Sequence, residues 1–249
     1  MIRAIKTAKY KLLQLVLMFT FTFAVSSCEE YLPDGGLYDE LVNSGIQEQP
    51  GSDITPEAVD LGLPSGVKWA TFNVGATRPE EYGGYYAWGE TEEKSDYSWS
   101  TYKWCKGSET SMTKYCTDSS YGTVDNKTVL DLEDDVAHVN WGGSWRMPTR
   151  AEQDELRENC AWIWTTLNGV NGYKVISKTN GNSIFLPAAS CRVGTEIRDN
   201  ESCGYYLASS FEAYYFENRT AYSLNFGDSF HYRNCITRCY GVSVRPVCE

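Results

Sequence analysis

The sequence predicts an α+β domain with two helices and a mostly antiparallel sheet, and three observations carry that reading. Helix-type segments are confined to the middle of the chain, between residues 131 and 160. Short runs rich in Val, Ile, Tyr, Phe and Trp, bounded by Gly, Pro, Asn and Ser, lie before and after them. Two of these runs flank Asn180-Gly181, a pair that tolerates the left-handed backbone of a tight hairpin turn. Helices grouped between strands give an α+β architecture rather than an alternating one.

In chain order, Val59-Asp60-Leu61 and Val67 to Phe72 read as strands around the turn Pro64-Ser65-Gly66, and Tyr85 to Trp88 reads as a third. Residues 91–128 are polar with scattered aromatics and no period, which predicts a long irregular region. Asp131 to His138 reads as a helix with Leu132, Val136 and Val139 on one side. Thr149 to Cys160 reads as a second helix. Thr149 is a natural N-cap, Glu152 three residues on completes a capping box, and Pro148 blocks extension backwards. Its apolar stripe is narrow: Ala151, Leu156 and Cys160. From Gly172 onward the chain reads as β, with strands at 173–177, 183–186, 204–209, 221–226, 229–233 and 241–247.

The N-terminus has the three parts of an export signal. Arg3, Lys6, Lys9 and Lys11 form a basic start, Leu12 to Val25 is a 14-residue apolar run, and Val25-Ser26-Ser27-Cys28 supplies small residues before a cysteine. The run is shorter than the roughly 20 residues of a membrane-spanning helix. It resembles a bacterial lipoprotein signal, which implies cleavage after residue 27 and acylation of Cys28. Glu29 and Glu30 resemble the signal that sends lipoproteins of Bacteroides-type bacteria to the outer face of the outer membrane. Residues 28–57 then read as lipidated cysteine and flexible linker, and residues 58–249 as one domain. Removing the four cations of the signal from a chain of net charge −11 leaves the mature chain near −15. Such a chain is repelled by nucleic acid, which is not expected as a partner.

Eight cysteines follow Cys28, and export permits disulfides. Cys105 and Cys116 flank a polar loop and are the candidate bridge. Cys235 and Cys239 lack a second ligand pair at zinc spacing, so no metal is expected, and no cofactor. The chain has two histidines, His138 and His231, neither in a motif, and no nucleophile elbow, zinc-protease helix or phosphate loop. A non-enzyme is expected. A glycan-cleaving pair of carboxylates remains an alternative, because such pairs meet in space rather than in sequence.

Asp60 to Ala70, Trp141-Gly142-Gly143-Ser144-Trp145-Arg146-Met147-Pro148-Thr149, Ile184 to Ala189 and Ser243 to Val247 together resemble the Fibrobacter succinogenes major paralogous domain. That resemblance covers about residues 58–248 and implies a C-type-lectin-like fold, in which first and last strands pair and a long-loop region makes the ligand surface. Arg146-Met147-Pro148-Thr149 with Glu152 also resembles a segment of formylglycine-generating enzymes, but their copper-binding cysteine pair finds no counterpart around Val244-Arg245-Pro246. The Glu-Pro-Asn and Trp-Asn-Asp motifs of calcium-dependent lectins are absent.

The tail from Cys191 to Val242 interleaves tyrosines with Arg, Asn and Ser, the composition of paratopes and sugar-binding faces. The expected ligand residues are Cys191, Val193, Arg198, Asp199, Tyr205, Phe211, Tyr214, Tyr215, Asn218, Arg219, His231, Tyr232, Asn234, Ile236, Arg238 and Tyr240. About half of the tail's aromatics, Tyr206 and Phe226 among them, are expected in the core. Cys191, Val193, Cys203, His231, Tyr232, Asn234, Cys235, Ile236, Thr237, Cys239 and Tyr240 form an odd assortment between steadier segments. Either they are diversified surface positions, as retroelements produce in some relatives of the fold, or they reflect ordinary drift between paralogues. The expected function is a surface lipoprotein whose Tyr-rich face binds a carbohydrate or protein ligand. The alternatives are a structural subunit of a surface fibre and a glycan-active enzyme.

Overall fold

The computed structural model describes residues 56–198, 202–211 and 218–249, all within the unit Asp53–Glu249. Among the described residues, two α-helices and four antiparallel sheets make this an α+β domain. Strands β1 (Ala58–Asp60), β2 (Lys68–Ala70) and β11 (Val247–Cys248) form one sheet in the order β1-β2-β11. The first and last described strands are therefore both joined to β2, where Trp69 pairs with Val247 on one side and with Val59 on the other. A second sheet holds β3 (Cys160–Leu167), β4 (Val170–Ser177) and β5 (Ser183–Pro187). A small hairpin pairs β6 (Cys191–Val193) with β7 (Glu196–Arg198). The fourth sheet runs β10-β9-β8, from β8 (Cys203–Phe211), β9 (Thr220–Gly227) and β10 (Phe230–Thr237).

Helix α1 (Val136–Trp141) is shorter than the expected segment, which is split by Asp135. A 3-10 turn over Leu132–Asp134 precedes it. Asp135 adopts an extended backbone and caps α1, accepting from the Ala137 and His138 amides, and its other oxygen accepts from Met147 N. Leu132 and Val139 are exposed rather than packed. Helix α2 (Arg150–Asn159) follows the sequence closely. Thr149 Oγ1 accepts from Glu152 N at 3.2 Å, and Glu152 accepts from Thr149 N at 2.7 Å. Arg146 clamps the same carboxylate with two bonds of 2.8 and 2.6 Å. Burial pushes the Glu152 carboxyl up, but Arg146 and the Thr149 amide outweigh it and leave it below its ordinary value.

Strand β3 leaves α2 with no intervening loop and was not expected. Its apolar residues fall at both parities, so no alternation marks it: Trp162 and Trp164 turn inward while Ile163 is exposed. Tyr85 to Trp88 is not a strand; only Tyr86 bridges, to Val242. Residues 241–246 likewise make single bridges, from Gly241 to Arg192 and from Ser243 to Tyr206, before β11 begins.

One core cluster joins Tyr173, Val175 and Leu186 of β4 and β5 to Tyr206, Leu224 and Phe226 of β8 and β9, with Trp69 and Leu156. A second surrounds Trp88, with Tyr115, Met147, Leu207, Phe211 and Ile236. Fully burying each such side chain contributes about 1.5–3 kcal/mol. Arg245 is also fully buried, donating to Asn73 Oδ1, the Ala70 and Thr71 carbonyls and Phe185 O, and so ties β2 to β5. Desolvation lowers its pKa to about 10.

The expected Cys105–Cys116 bridge is not formed. All eight described cysteines are free thiols. Cys105 Sγ donates to Trp99 O and Cys116 Sγ to Asp118 O, so the two thiols are engaged with different carbonyls.

Candidate binding face

The β10-β9-β8 sheet sorts the tail by parity, because cross-strand partners project to one face. Tyr205, Asn225 and Tyr232 are mutual partners in register. So are Leu207, Ser223 and Asn234, and Cys203, Gly227 and Phe230. Phe211, Ala221 and Ile236 continue the same face. One end of this face is core: Leu207, Phe211, Ala221 and Ile236 are buried around Trp88. The other end is open. Phe230 and Tyr232 are exposed, with ring centroids 5.3 Å apart, and Cys203, Tyr205 and Asn234 are half-buried.

Between the two ends lie Ser223 and Asn225, 0% and 5% exposed. Among the described residues Ser223 Oγ and Asn225 Oδ1 have no hydrogen-bond partner. A buried polar group left unpaired costs about 1–3 kcal/mol. None of the described residues named at the open end or in this polar floor carries a charge, in a chain of net charge −11. Aromatic walls over a hydroxyl and an amide suit a neutral, hydroxyl- or amide-bearing ligand.

Of the expected ligand residues, Tyr232 and Asn234 come together on this open end, with Tyr205 beside them packed in part on the Trp88 cluster. Five others are corrected by burial. Cys191 and Phe211 are core residues, and Ile236 closes the buried end of the face. Arg238 is fully enclosed: it donates to Tyr102 Oη, to the Tyr115 and Asn218 carbonyls and to Lys114 O, with Trp88 and Phe211 rings against its guanidinium. Asn218 is buried with it, its Oδ1 accepting from the Thr117 amide. His231 points to the opposite face and stacks on Trp162 at 4.5 Å. Arg219 pairs with Glu109 at 2.9 Å, and Tyr240 packs on the core. Val193 and Arg198 sit on the β6–β7 hairpin, where Val193 packs on the Trp88 cluster. Asp199, Tyr214, Tyr215 and Cys28 lie outside the described residues. Of the odd assortment of tail residues, Cys191, Ile236 and Cys239 are buried, Tyr232 is exposed and the rest are half-buried.

Sequence reasoning missed Ser223 and Asn225. The signal was present: Ala221 to Phe226 alternates, with Tyr222, Leu224 and Phe226 facing one way and the two polar residues the other.

Two other clusters of carboxylates stand out among the described residues. The carboxylates of Asp131, Glu133 and Asp134 converge within 4.8 Å. Lys114 Nζ already sits among them at 2.7, 3.7 and 2.6 Å, where a cation would bind. Glu80 and Glu81 line one hollow beside Arg78, and hydrogen bonds from Asn168 and from Thr77 N lead the causes that hold each carboxyl below its ordinary value. A glycosidase acid needs the reverse. His138 Nδ1 lies 3.3 Å from Trp145 O. Among the described residues no helix is long and apolar enough to cross a membrane.

Models of protein families, curated proteins and solved structures give no match to this chain. The site therefore stands on its own geometry.

Proposed function

We propose that the chain is a lipid-anchored outer-membrane surface protein of the Fibrobacter succinogenes major paralogous kind, with a C-type-lectin-like domain. Its open β10-β9-β8 face binds a neutral carbohydrate or protein ligand. The observation that carries the binding role is the exposed Phe230–Tyr232 ring pair, with the unpartnered buried Asn225 between Tyr205 and Tyr232 and the unpartnered Ser223 next along the strand. The Cys28 lipobox and the motif order support the anchor and the family. We read the protein as a binding module rather than an enzyme.

The test is an array of neutral oligosaccharides, acidic oligosaccharides and peptides probed with the wild-type chain and with Tyr232→Ala. Binding to neutral probes that falls at least tenfold in the variant, about 1.4 kcal/mol, supports the reading. Binding that is undiminished in Tyr232→Ala, or confined to acidic probes, overturns it.

A second reading is favoured by one feature. Strand β10 ends its sheet, and among the described residues no strand pairs with its outer side. Strand addition there would suit a fibre subunit. That reading predicts chain-to-chain assembly abolished by a proline in β10.

A further inference from the structure

The β3-β4-β5 sheet buries one side in the core and turns the other outward, and register sorts its residues between the two. Trp164, Tyr173 and Leu186 are cross-strand partners on the core side, as are Trp162, Val175 and Ile184. The alternate rows face out: Ile163, Lys174 and Phe185 in one, and Thr165, Gly172 and Pro187 in the next. Ser183, two residues from Phe185, and Leu167, two from Thr165, share that outer side. Thr71 and Pro79, from the segment after β2, stand against it. Between them and Thr165, Leu167, Lys174, Ser183 and Phe185 lies an open hollow of about 360 Å3. Ligand sites span about 300–1,000 Å3, so the hollow has room for a small molecule.

Its lining is mixed. Phe185, Leu167 and Pro79 supply apolar surface. Gly172 leaves its row bare, and the Phe185 ring takes the space: a Cβ on Gly172 would meet the ring's Cζ at 2.7 Å. Ile163, the partner of Lys174 on β3, is 50% exposed and carries the apolar surface outward beside it. The polar groups are the Lys174 ammonium and the hydroxyls of Thr71, Thr165 and Ser183. Among the described residues none of these four has a hydrogen-bond or ion-pair partner. None of the described residues lining the hollow is acidic, in a chain of net charge −11. Glu80 and Glu81, next to Pro79 in the chain, are taken up by Asn168, Thr77 and Arg78. An acidic chain repels anions at large, so one is held only where a local cation offsets that field, and a single ammonium matches a single negative charge. Charge-assisted bonds from an ammonium suit a carboxylate, and the apolar lining gains by covering a carbon body.

We propose that this hollow binds a small carboxylate with an apolar body, its charged end on Lys174 and the free hydroxyls and its body against Phe185, Leu167 and Pro79. The site lies on a different sheet from the proposed ligand face and does not depend on it.

The experiment is a titration of the isotope-labelled full chain with sodium hexanoate and with sodium benzoate, read by NMR on the backbone amides of Lys174 and Phe185. Sodium acetate, hexan-1-ol and benzyl alcohol are the controls. The expected result is a saturable shift of both amides with at least one of the two carboxylates. Acetate lacks the body and the matching alcohol lacks the charge, so each should bind at least about tenfold more weakly. Lys174→Gln should raise the saturation midpoint at least about tenfold. Thr165→Trp, which fills the hollow and leaves the charge in place, should abolish saturation. Lys174 is exposed and Thr165 half-buried, so both variants should fold, and amides far from the hollow should keep their positions. Absence of saturation with both carboxylates, an alcohol or acetate that binds as tightly, or a midpoint unmoved in either variant overturns the proposal.

Discussion

Replacing Arg238 by methionine separates a ligand-contacting arginine from one that holds the fold. Arg238 is fully buried and surrounded by acceptors: Tyr102 Oη at 3.2 Å, Tyr115 O at 2.9 Å, Asn218 O at 2.7 Å and Lys114 O at 3.4 Å. Methionine refills the space between Trp88 and Phe211 but leaves these oxygens unpaired. Each orphaned buried acceptor costs about 1–3 kcal/mol. The costs do not add fully, and loss of the buried charge offsets some of them, so the net destabilisation is about 3–5 kcal/mol. For a domain of this size each kcal/mol lowers Tm by roughly 2–4 °C, giving a fall of roughly 6–20 °C. Calorimetry on the wild-type chain and Arg238→Met measures it, with Arg198→Met, on the exposed hairpin strand β7, expected within about 0.5 kcal/mol of wild type. An Arg238→Met variant that melts like the wild type would refute the enclosed-arginine account and return Arg238 to the ligand face.

Other perturbations read other parts of the structure. Glu152→Gln loses the Arg146 clamp, and we expect it to cost about 1–3 kcal/mol at pH 7. The folded pKa of Glu152 is depressed, so this contribution is full above the ordinary carboxylate range and lost as pH falls through the folded pKa. Urea unfolding at pH 7 and in acid should show the wild-type advantage shrinking; an advantage that grows in acid contradicts the pairing. Gly204→Ala places a Cβ 2.1 Å from the Phe226 ring, and overpacking of this kind costs about 1–3 kcal/mol, measurable in the same unfolding assay. Thiol alkylation at pH 8 should label Cys105 and Cys203 before Cys160 and Cys239, whose thiols burial pushes up to about 11 and about 12. A native peptide map containing a Cys105–Cys116 link would contradict the free thiols.

Local signals in the sequence translated directly into structure. The Thr149–Glu152 capping box needs only a four-residue pattern, and it starts α2 as expected. Asn180-Gly181 forms the turn between β4 and β5, with Gly181 in the left-handed region at φ 78° and Ser177 N donating to Asn182 O. Signals that depend on distant partners did not translate. Nothing near Arg238 in sequence shows that its acceptors come from residues 114–115 and 218, so a buried arginine reads like a surface one. Parity decided the face. Tyr232 and His231 are adjacent, and one step along a strand sends the second side chain to the opposite side. Ser223 and Asn225 were legible as the polar half of an alternating strand, but aromatic richness drew attention to the rim instead of the floor. Leu132 and Val139 were given a packed side by spacing alone, and the break at Asp135 leaves them in solvent.

The central claim is that the polar floor of the open face exists for a ligand and not for the fold. Its most direct test is Ser223→Ala, measured by urea unfolding of the free protein alongside the neutral-oligosaccharide and peptide array. Ser223 is 0% exposed and its hydroxyl has no partner among the described residues. The account predicts unchanged stability, or a gain of up to about 1 kcal/mol, together with at least a tenfold loss of array binding. A stability loss above about 1 kcal/mol with array binding intact would contradict it, and would mean that Ser223 serves the sheet.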